Sequence, residues 1–288
     1  MSTLTIEFAQ CRYRLMGLLP EQEKRVRARF GALECAAGLA LDVEVEVKQS
    51  TEPERFMAKL VGPVEYRISM GYEPTAVVVE GIGFSATIER ASLRTRMHTC
   101  LKDEWFVDGF ENLFRALVSY RLFAGGTLVM HSAAFSDGER GFLFCGRSGA
   151  GKTTLCRLAD QLGLKILSDE LNAVAVSSQG FALQAMPFAG DFGRMPMPAP
   201  PLPLTGLLGL RQSDKSGLHA CSQAVAVSRI VASCPYVNAD PLLVGPLTER
   251  AVLLVERVPL RVLSFAKDAS FWKVLDHEYS RPQPALSR

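Results

Sequence analysis

The stretch Gly146-Arg147-Ser148-Gly149-Ala150-Gly151-Lys152-Thr153 fits the pattern G-x-x-x-x-G-K-[ST]. A short apolar run, residues 141–145, precedes it, and helical periodicity follows over residues 152–162. Glycines in such a loop let backbone N–H groups wrap around phosphate oxygens, and the next helix turns its positive N-terminus toward them. The sequence therefore predicts a phosphate-binding loop between a strand and a helix.

The residues of this loop also predict what it binds. Lys152 is expected to place a positive charge on the phosphates of a nucleoside triphosphate, and the Thr153 hydroxyl is expected to bind Mg²⁺. The remaining residues of the expected nucleotide site surround these two: Gly146, Arg147, Ser148, Gly149, Ala150, Gly151 and Thr154.

Composition argues against several other classes of protein. The chain has 288 residues, 48% of them apolar, and a formal net charge of +2, so we expect no strong attraction to nucleic acid or to an anionic membrane. No uncharged apolar stretch reaches the roughly 18 residues of a transmembrane helix. The seven cysteines form no C-x-x-C pair, which favours reduced thiols over disulfides or a zinc site. We therefore expect a cytoplasmic protein.

The chain changes character near residue 125, which predicts two domains: an α+β domain over residues 1–125 and an α/β P-loop domain over residues 126–288. In the first, strands are predicted at residues 4–16, 43–47, 64–69, 76–80 and 84–90, and a helix from Pro20 to near Gly31. A second helix, residues 103–123, has an apolar stripe that we interpret as core packing. The stripe contains Phe106, Phe110, Leu113, Leu117 and Tyr120.

The second region begins with a predicted hairpin, formed by residues 127–134 and the strand that leads into the loop. Further strands are predicted at residues 165–167, 171–177, 181–184, 207–210 and 260–265, and helices at residues 222–233, 248–258 and 269–277. Between them, residues 186–206 contain six prolines. So long a proline-rich stretch predicts either a linker or a functional lid.

Two adjacent acids follow the first strand after the loop. We expect a single crossover helix to place this strand, which ends at Asp169 and Glu170, beside the phosphate loop, where a Mg²⁺ ligand or a general base can reach the γ-phosphate. Our hypothesis is that Asp169 accepts the proton of an attacking hydroxyl and that Glu170 helps to hold Mg²⁺. Both acids are therefore candidate metal ligands, together with Thr153.

Two further residues are candidates for the catalytic site. His131 lies on the strand before the loop strand, where it is either a buried structural residue or a contact of the phosphates. Arg194 lies in the proline-rich stretch, and an arginine on a mobile loop can neutralise charge on a transferring phosphoryl group.

Taken together, these residues resemble the HPr kinase/phosphorylase family, whose catalytic domain is similar to ATP-dependent phosphoenolpyruvate carboxykinase. The resemblance rests on His131 one hairpin before the loop, on the loop itself, on the acid pair Asp169-Glu170, and on Pro-Phe-Ala-Gly-Asp at residues 187–191. Residues 232–240 and 268–272 are similar to segments of the smaller HPr-kinase-like proteins found beside peptide-modification genes.

The resemblance implies a phosphoenolpyruvate-carboxykinase-like P-loop domain and an ATP- and Mg²⁺-dependent serine kinase. It implies Asp169 as the proton acceptor, Lys152 and Thr153 as phosphate and metal contacts, and His131 near the phosphates. Typical members carry glutamate where this chain has Thr154, and aspartate where it has Glu170. The divergent branch that the chain resembles includes kinases for a serine of lasso-peptide precursors, and residues 1–125 would then help to recognise the peptide.

The expected function is transfer of the γ-phosphoryl group of ATP to a serine hydroxyl of a peptide or protein partner. Two alternatives stay open: a kinase for a small hydroxyl-bearing metabolite, and a nucleotide-binding regulatory protein without transfer activity. The presence of both Lys152 and Asp169 favours an enzyme, since a pure binder does not need the acid. HPr kinases form hexamers, and a homo-oligomer of this chain also stays open.

Overall fold

Two sheets and six helices make up the described part of the chain in the computed structural model. The structure describes residues 3–36, 42–52, 68–102, 104–178, 180–194, 196 and 199–280. The chain divides into two units, Met1–Arg121 and Leu122–Arg288. The mixed α/β class predicted from the sequence is confirmed. Among the helices described, we find none whose length and apolar character would let it cross a membrane.

The first unit contains a seven-stranded sheet. Its strands are β1 (Thr3–Phe8), β2 (Cys11–Met16), β3 (Val43–Gln49), β4 (Ser69–Tyr72), β5 (Ala76–Gly81), β6 (Phe84–Glu89) and β7 (Thr95–Thr99), and its helices are α1 (Pro20–Phe30) and most of α2 (Glu104–Ala124). The strand order is β1-β2-β3-β7-β6-β5-β4, with β3 parallel to both of its neighbours. Most of the strand predicted at residues 64–69 lies outside the described residues.

Aromatic packing holds this unit together and confirms that the apolar stripe of α2 is core. The five stripe residues are each at most 5% exposed. The ring of Phe114 lies 5.1 Å from that of Tyr13 and 5.6 Å from that of Phe30, both edge-to-face. The single strand predicted at residues 4–16 is wrong, because Ala9 and Gln10 take positive φ angles of 49° and 61° and turn the chain into a β1–β2 hairpin.

The second unit contains an eight-stranded sheet. Its strands are β8 (Leu128–Ser136), β9 (Gly141–Cys145), β10 (Lys165–Ser168), β11 (Leu171–Ser177), β12 (Gly180–Ala185), β13 (Leu202–Gln212), β14 (Gly217–His219) and β15 (Arg261–Phe265). Its complete helices are α3 (Lys152–Gln161), α4 (Gln223–Ser233), α5 (Val244–Arg257) and α6 (Ser270–Tyr279).

The long strand β8 organises the sheet around the loop. Along one edge it pairs antiparallel with β9, which confirms the predicted hairpin, and β9 pairs parallel with β13 on its other side. Along its other edge β8 pairs with β10 and then with β11. The acid-bearing strand β10 is therefore not a direct neighbour of the loop strand β9. Residues 134–136 of β8 pair with β9 on one edge and with β10 on the other, so β8 separates β9 from β10.

A buried apolar cluster fixes α3 on this sheet and so positions the loop. Leu155 and Cys156 of α3 pack with Phe144 of β9 and Phe265 of β15. The contact is close at the start of the helix, where a Cβ added to Gly151 would lie 2.7 Å from the Phe265 ring. All seven cysteines lie in the described residues, and each is a free thiol in the structure.

Candidate active site

The predicted phosphate loop connects β9 to α3, and its shape depends on two glycines. Gly149 and Gly151 have φ angles of 76° and 98°, in the left-handed region that side chains disfavour. The Ala150 N–H donates to the Arg147 carbonyl at 3.1 Å, which makes a turn at the crest. Gln212, at the end of β13, donates from Nε2 to the Gly149 carbonyl at 3.0 Å. The loop is thus held both by its own backbone and by a neighbouring strand.

Lys152 is folded back into the loop. Its Nζ donates to the Gly146 carbonyl at 3.0 Å, and the residue is only 8% exposed. Burial lowers the pKa of the ammonium group, an effect opposed chiefly by the nearby Glu170 carboxylate. The lysine therefore holds a desolvated positive charge at the loop, and a phosphate oxygen is a better partner for that charge than a carbonyl.

Asp169 is joined to the loop by a hydrogen bond. Thr153 Oγ1 donates to Asp169 Oδ2 at 2.9 Å, and the Phe192 N–H donates to the same oxygen at 2.8 Å. A Cβ added to Gly190 would lie 2.3 Å from Asp169 Oδ1. With only 5% of Asp169 exposed, its carboxylate is fixed between the loop and residues 190–194, the strap.

Glu170 and His131 form a second pair beside Asp169. Leu171 of β11 pairs with His131 of β8, and the Ser132 N–H donates to the Glu170 carbonyl at 3.0 Å. These contacts bring Glu170 Oε2 to 3.9 Å from His131 Nε2, which is too far for a direct hydrogen bond. The His131 side chain is 45% exposed, which is not the buried position that its structural interpretation requires.

The oxygen atoms of Thr153 and Asp169 fit a magnesium ion. Mg²⁺ prefers oxygen ligands, and proteins usually hold it with one or two carboxylates while waters and substrate phosphates complete its shell. Within the described residues no group of three or more His, Cys, Asp or Glu could hold a metal without such help. Of the three expected ligands, the structure joins Thr153 and Asp169, whereas the Glu170 carboxylate approaches His131.

A cavity of about 1350 Å³ opens beside the loop. Its walls are the loop crest, His131, the end of β13 and one face of α4. The helix contributes Val225, Ser228 and Arg229, and β13 contributes Arg211. Sequence reasoning missed all four residues. For the three on the helix, their spacing of three and four residues on a predicted helix was the available signal. The cavity exceeds the roughly 300–1,000 Å³ of most small-ligand pockets, so it has room for a nucleoside.

The structure places Arg194 away from the loop. Its guanidinium makes two bonds to the Asp160 carboxylate, at 2.8 and 3.1 Å, and stacks 5.0 Å from the centre of the Phe192 ring. Asp160 lies at the far end of α3, about 12 Å along the helix from Lys152. In this structure the partner of the Arg194 guanidinium is therefore the Asp160 carboxylate. Thr154 occupies the first turn of α3 and is half-buried.

No protein-family model matches the chain, and a search of curated proteins returned no match. The loop, the acids and the cavity are therefore the features that bear on function.

Proposed function

We propose that the protein is an ATP- and Mg²⁺-dependent kinase that transfers the γ-phosphoryl group to a serine hydroxyl of a peptide or protein. The observation that carries the proposal is the 2.9 Å hydrogen bond from Thr153 to Asp169. In phosphate-loop enzymes the loop Ser/Thr and a separate aspartate together hold Mg²⁺. A glycine-rich turn with an incidental lysine gives no reason for a buried carboxylate at this position.

In this proposal the second unit is a catalytic domain of the phosphoenolpyruvate carboxykinase type, and the first unit recognises the substrate. The loop N–H groups and Lys152 bind the β- and γ-phosphates. The nucleoside occupies the adjoining cavity, where Val225, 47% exposed, offers apolar surface to the base. Arg229, on the same wall, adds positive charge beside the phosphates.

Thr153 and Asp169 are the residues that would hold Mg²⁺, whose charge neutralises the phosphate oxygens when it is bound. One oxygen of Asp169 already accepts from Thr153, which leaves Oδ1 to take the proton of the serine hydroxyl. As that O–H bond breaks, the serine oxygen forms its bond to the γ-phosphorus. The bond between the γ-phosphorus and the bridging oxygen breaks, and ADP leaves. His131 lines the same cavity, and its Nε2 lies 3.9 Å from Glu170 Oε2.

The test follows γ-labelled ATP with Mg²⁺, offered serine-containing peptides, purified HPr and a cell extract. Asp169→Asn should lower transfer by about 10²-fold or more, because a neutral amide cannot accept the proton. Asp214→Asn, at an exposed site outside the loop and the cavity, is the matched control and should keep full transfer.

The possible outcomes separate the alternatives. Label on a peptide or protein with the wild type, and not with Asp169→Asn, would support the proposal. Label on a small molecule would instead indicate a metabolite kinase. Tight nucleotide binding without transfer to any acceptor would indicate a regulatory protein, and full transfer by Asp169→Asn would refute the role of the acid.

A further inference from the structure

Strand β10 has an edge that no described strand covers, and this edge leads to Asp169. Among the described strands β10 pairs with β8 alone. Strand β12 runs beside β11 but ends at Ala185, opposite Asn172. Strands β10 and β11 follow one another along the same edge of β8. A longer β12 would therefore continue past β11 and lie beside β10, but no described strand occupies that position. The backbone of β10 is therefore a template for one more strand.

A groove of about 260 Å³ lies along this edge. One wall is β10 itself, a second is the end of β12, and the third is formed by Phe192, Pro196 and Pro200. The third wall is tied to β12, since Gln184 donates to the Ala199 carbonyl at 3.5 Å. Pro196 and Pro200 lack the N–H group that a strand must donate, so neither residue can supply that hydrogen bond to β10.

The groove and the phosphate loop share one carboxylate. Ser168 and Asp169 line the end of the groove, while Thr153 of the loop donates to Asp169. A hydroxyl group at this end of the groove would lie beside the acid that the proposed transfer needs. The opposite end carries Lys165, an exposed cation at the start of β10.

We propose that this groove binds the acceptor peptide as an added β-strand on β10, with the acceptor serine beside Asp169. The inference rests on the proposed kinase function and specifies its substrate class, an extended peptide segment. Four residues of β10 span about 13 Å, so the paired segment is short. The volume of the groove is smaller than the roughly 300 Å³ at which pockets for drug-sized ligands begin. A groove of this size suits the successive side chains of an extended peptide. Lys165 should favour an acidic side chain at the end of the segment away from the serine.

The first experiment selects peptides from a display library of random sequences around one fixed serine. The enriched peptide, labelled with fluorescein, is the probe, and fluorescence anisotropy measures its affinity. Ala185→Trp and Ala199→Trp each fill the groove and should weaken probe binding by about tenfold or more, since an indole displaces the peptide. Val176→Trp, at a strand position that is 66% exposed, is the matched control and should bind the probe like the wild type.

A second experiment tests the strand pairing itself. Methylating the probe's backbone nitrogens one at a time should weaken binding at alternate residues, by about three- to tenfold for each lost hydrogen bond. A peptide held only by its side chains would show no such alternation. Because the Trp variants leave the loop intact, each should keep its nucleotide affinity, which shows that it is folded.

Three results would overturn the inference: no peptide is enriched, the Trp variants bind the probe like the wild type, or methylation shows no alternation. Probe binding without phosphorylation in ATP and Mg²⁺ would also overturn the acceptor role of the groove. Failure of the wild type to bind nucleotide would instead refute the proposed function, and that measurement is independent of the probe.

Discussion

Replacing Gly190 with alanine should disconnect Asp169 from the phosphate loop. The added Cβ would lie 2.3 Å from Asp169 Oδ1 and 2.9 Å from its Cγ, although ordinary contacts begin at 3.4 Å. Either the strap or the carboxylate must therefore move. The carboxylate cannot turn freely, because its other oxygen accepts hydrogen bonds from Thr153 and from the Phe192 N–H.

The size of the effect follows from these bonds. A hydrogen bond to a charged group contributes about 1.5–3 kcal/mol. Losing the Thr153 bond alone should therefore weaken Mg²⁺-dependent nucleotide binding by about ten- to hundredfold, since each 1.4 kcal/mol corresponds to about a factor of ten. Binding without Mg²⁺ should change little, because the loop N–H groups and Lys152 stay in place.

Calorimetric titration of ATP into Gly190→Ala, with and without Mg²⁺, measures both affinities. Phosphoryl transfer should fall at least as far as Mg²⁺-dependent affinity. Gly245→Ala is the matched control. This glycine lies in α5 with no atom within 4 Å of an added Cβ, so alanine should leave binding unchanged and stabilise the helix by about 0.5–1 kcal/mol. If Gly190→Ala bound Mg²⁺–ATP and transferred phosphate like the wild type, our account of how the strap fixes Asp169 would be refuted.

Three further predictions concern charge, packing and thiols. Burial lowers the pKa of Lys152, and nucleotide binding needs the charged form, so nucleotide affinity should be full below that pKa and decline above it, at lower pH than for an exposed lysine. Titrations of nucleotide at a series of pH values should show no such decline for Lys152→Arg. An affinity of the wild type that does not change with pH would contradict this prediction. Arg140→Ala removes an ion pair with Asp137 and the stacking of the guanidinium on Trp272. The free energy of unfolding, measured in urea, should therefore fall by about 1–2 kcal/mol. An unchanged free energy of unfolding would show that these contacts do not stabilise the fold. Burial raises the pKa of Cys145 and of Cys156 to about 12. After alkylation of the folded protein, mass spectrometry should therefore find both thiols unmodified. Rapid labelling of either thiol would argue against this packing.

The phosphate loop could be predicted from the sequence because the residues that form it lie close together in the chain. A strand, two glycines at positive φ and a helix start all lie within a few residues, and the structure forms each of them. The acid pair was located for the same reason, since it directly follows a short strand. That Thr153 and Asp169 form a hydrogen bond depends on tertiary pairing that no local pattern encodes.

The features that the sequence did not predict are those that distant contacts decide. The position of β10 depends on β8 pairing along both edges, which the alternation of side chains does not reveal. The Ala9-Gln10 turn lacks the glycine or asparagine that usually indicates such a hairpin. Strand β13 begins at Leu202, earlier than predicted, because Pro203 pairs with Ala182 despite the low strand propensity of proline.

The two strands that pair with β9 should reach it at different stages of folding. Pairing with β8 needs only a short hairpin, which closes within about 1–10 μs. Pairing of Leu143 with Leu207 in β13 must close a loop of roughly 60 residues, at about 4 kcal/mol of chain entropy. We therefore expect the loop to gain its contact with Gln212 of β13 late in folding. A bound nucleotide should consequently slow unfolding of the protein while leaving its refolding rate nearly unchanged.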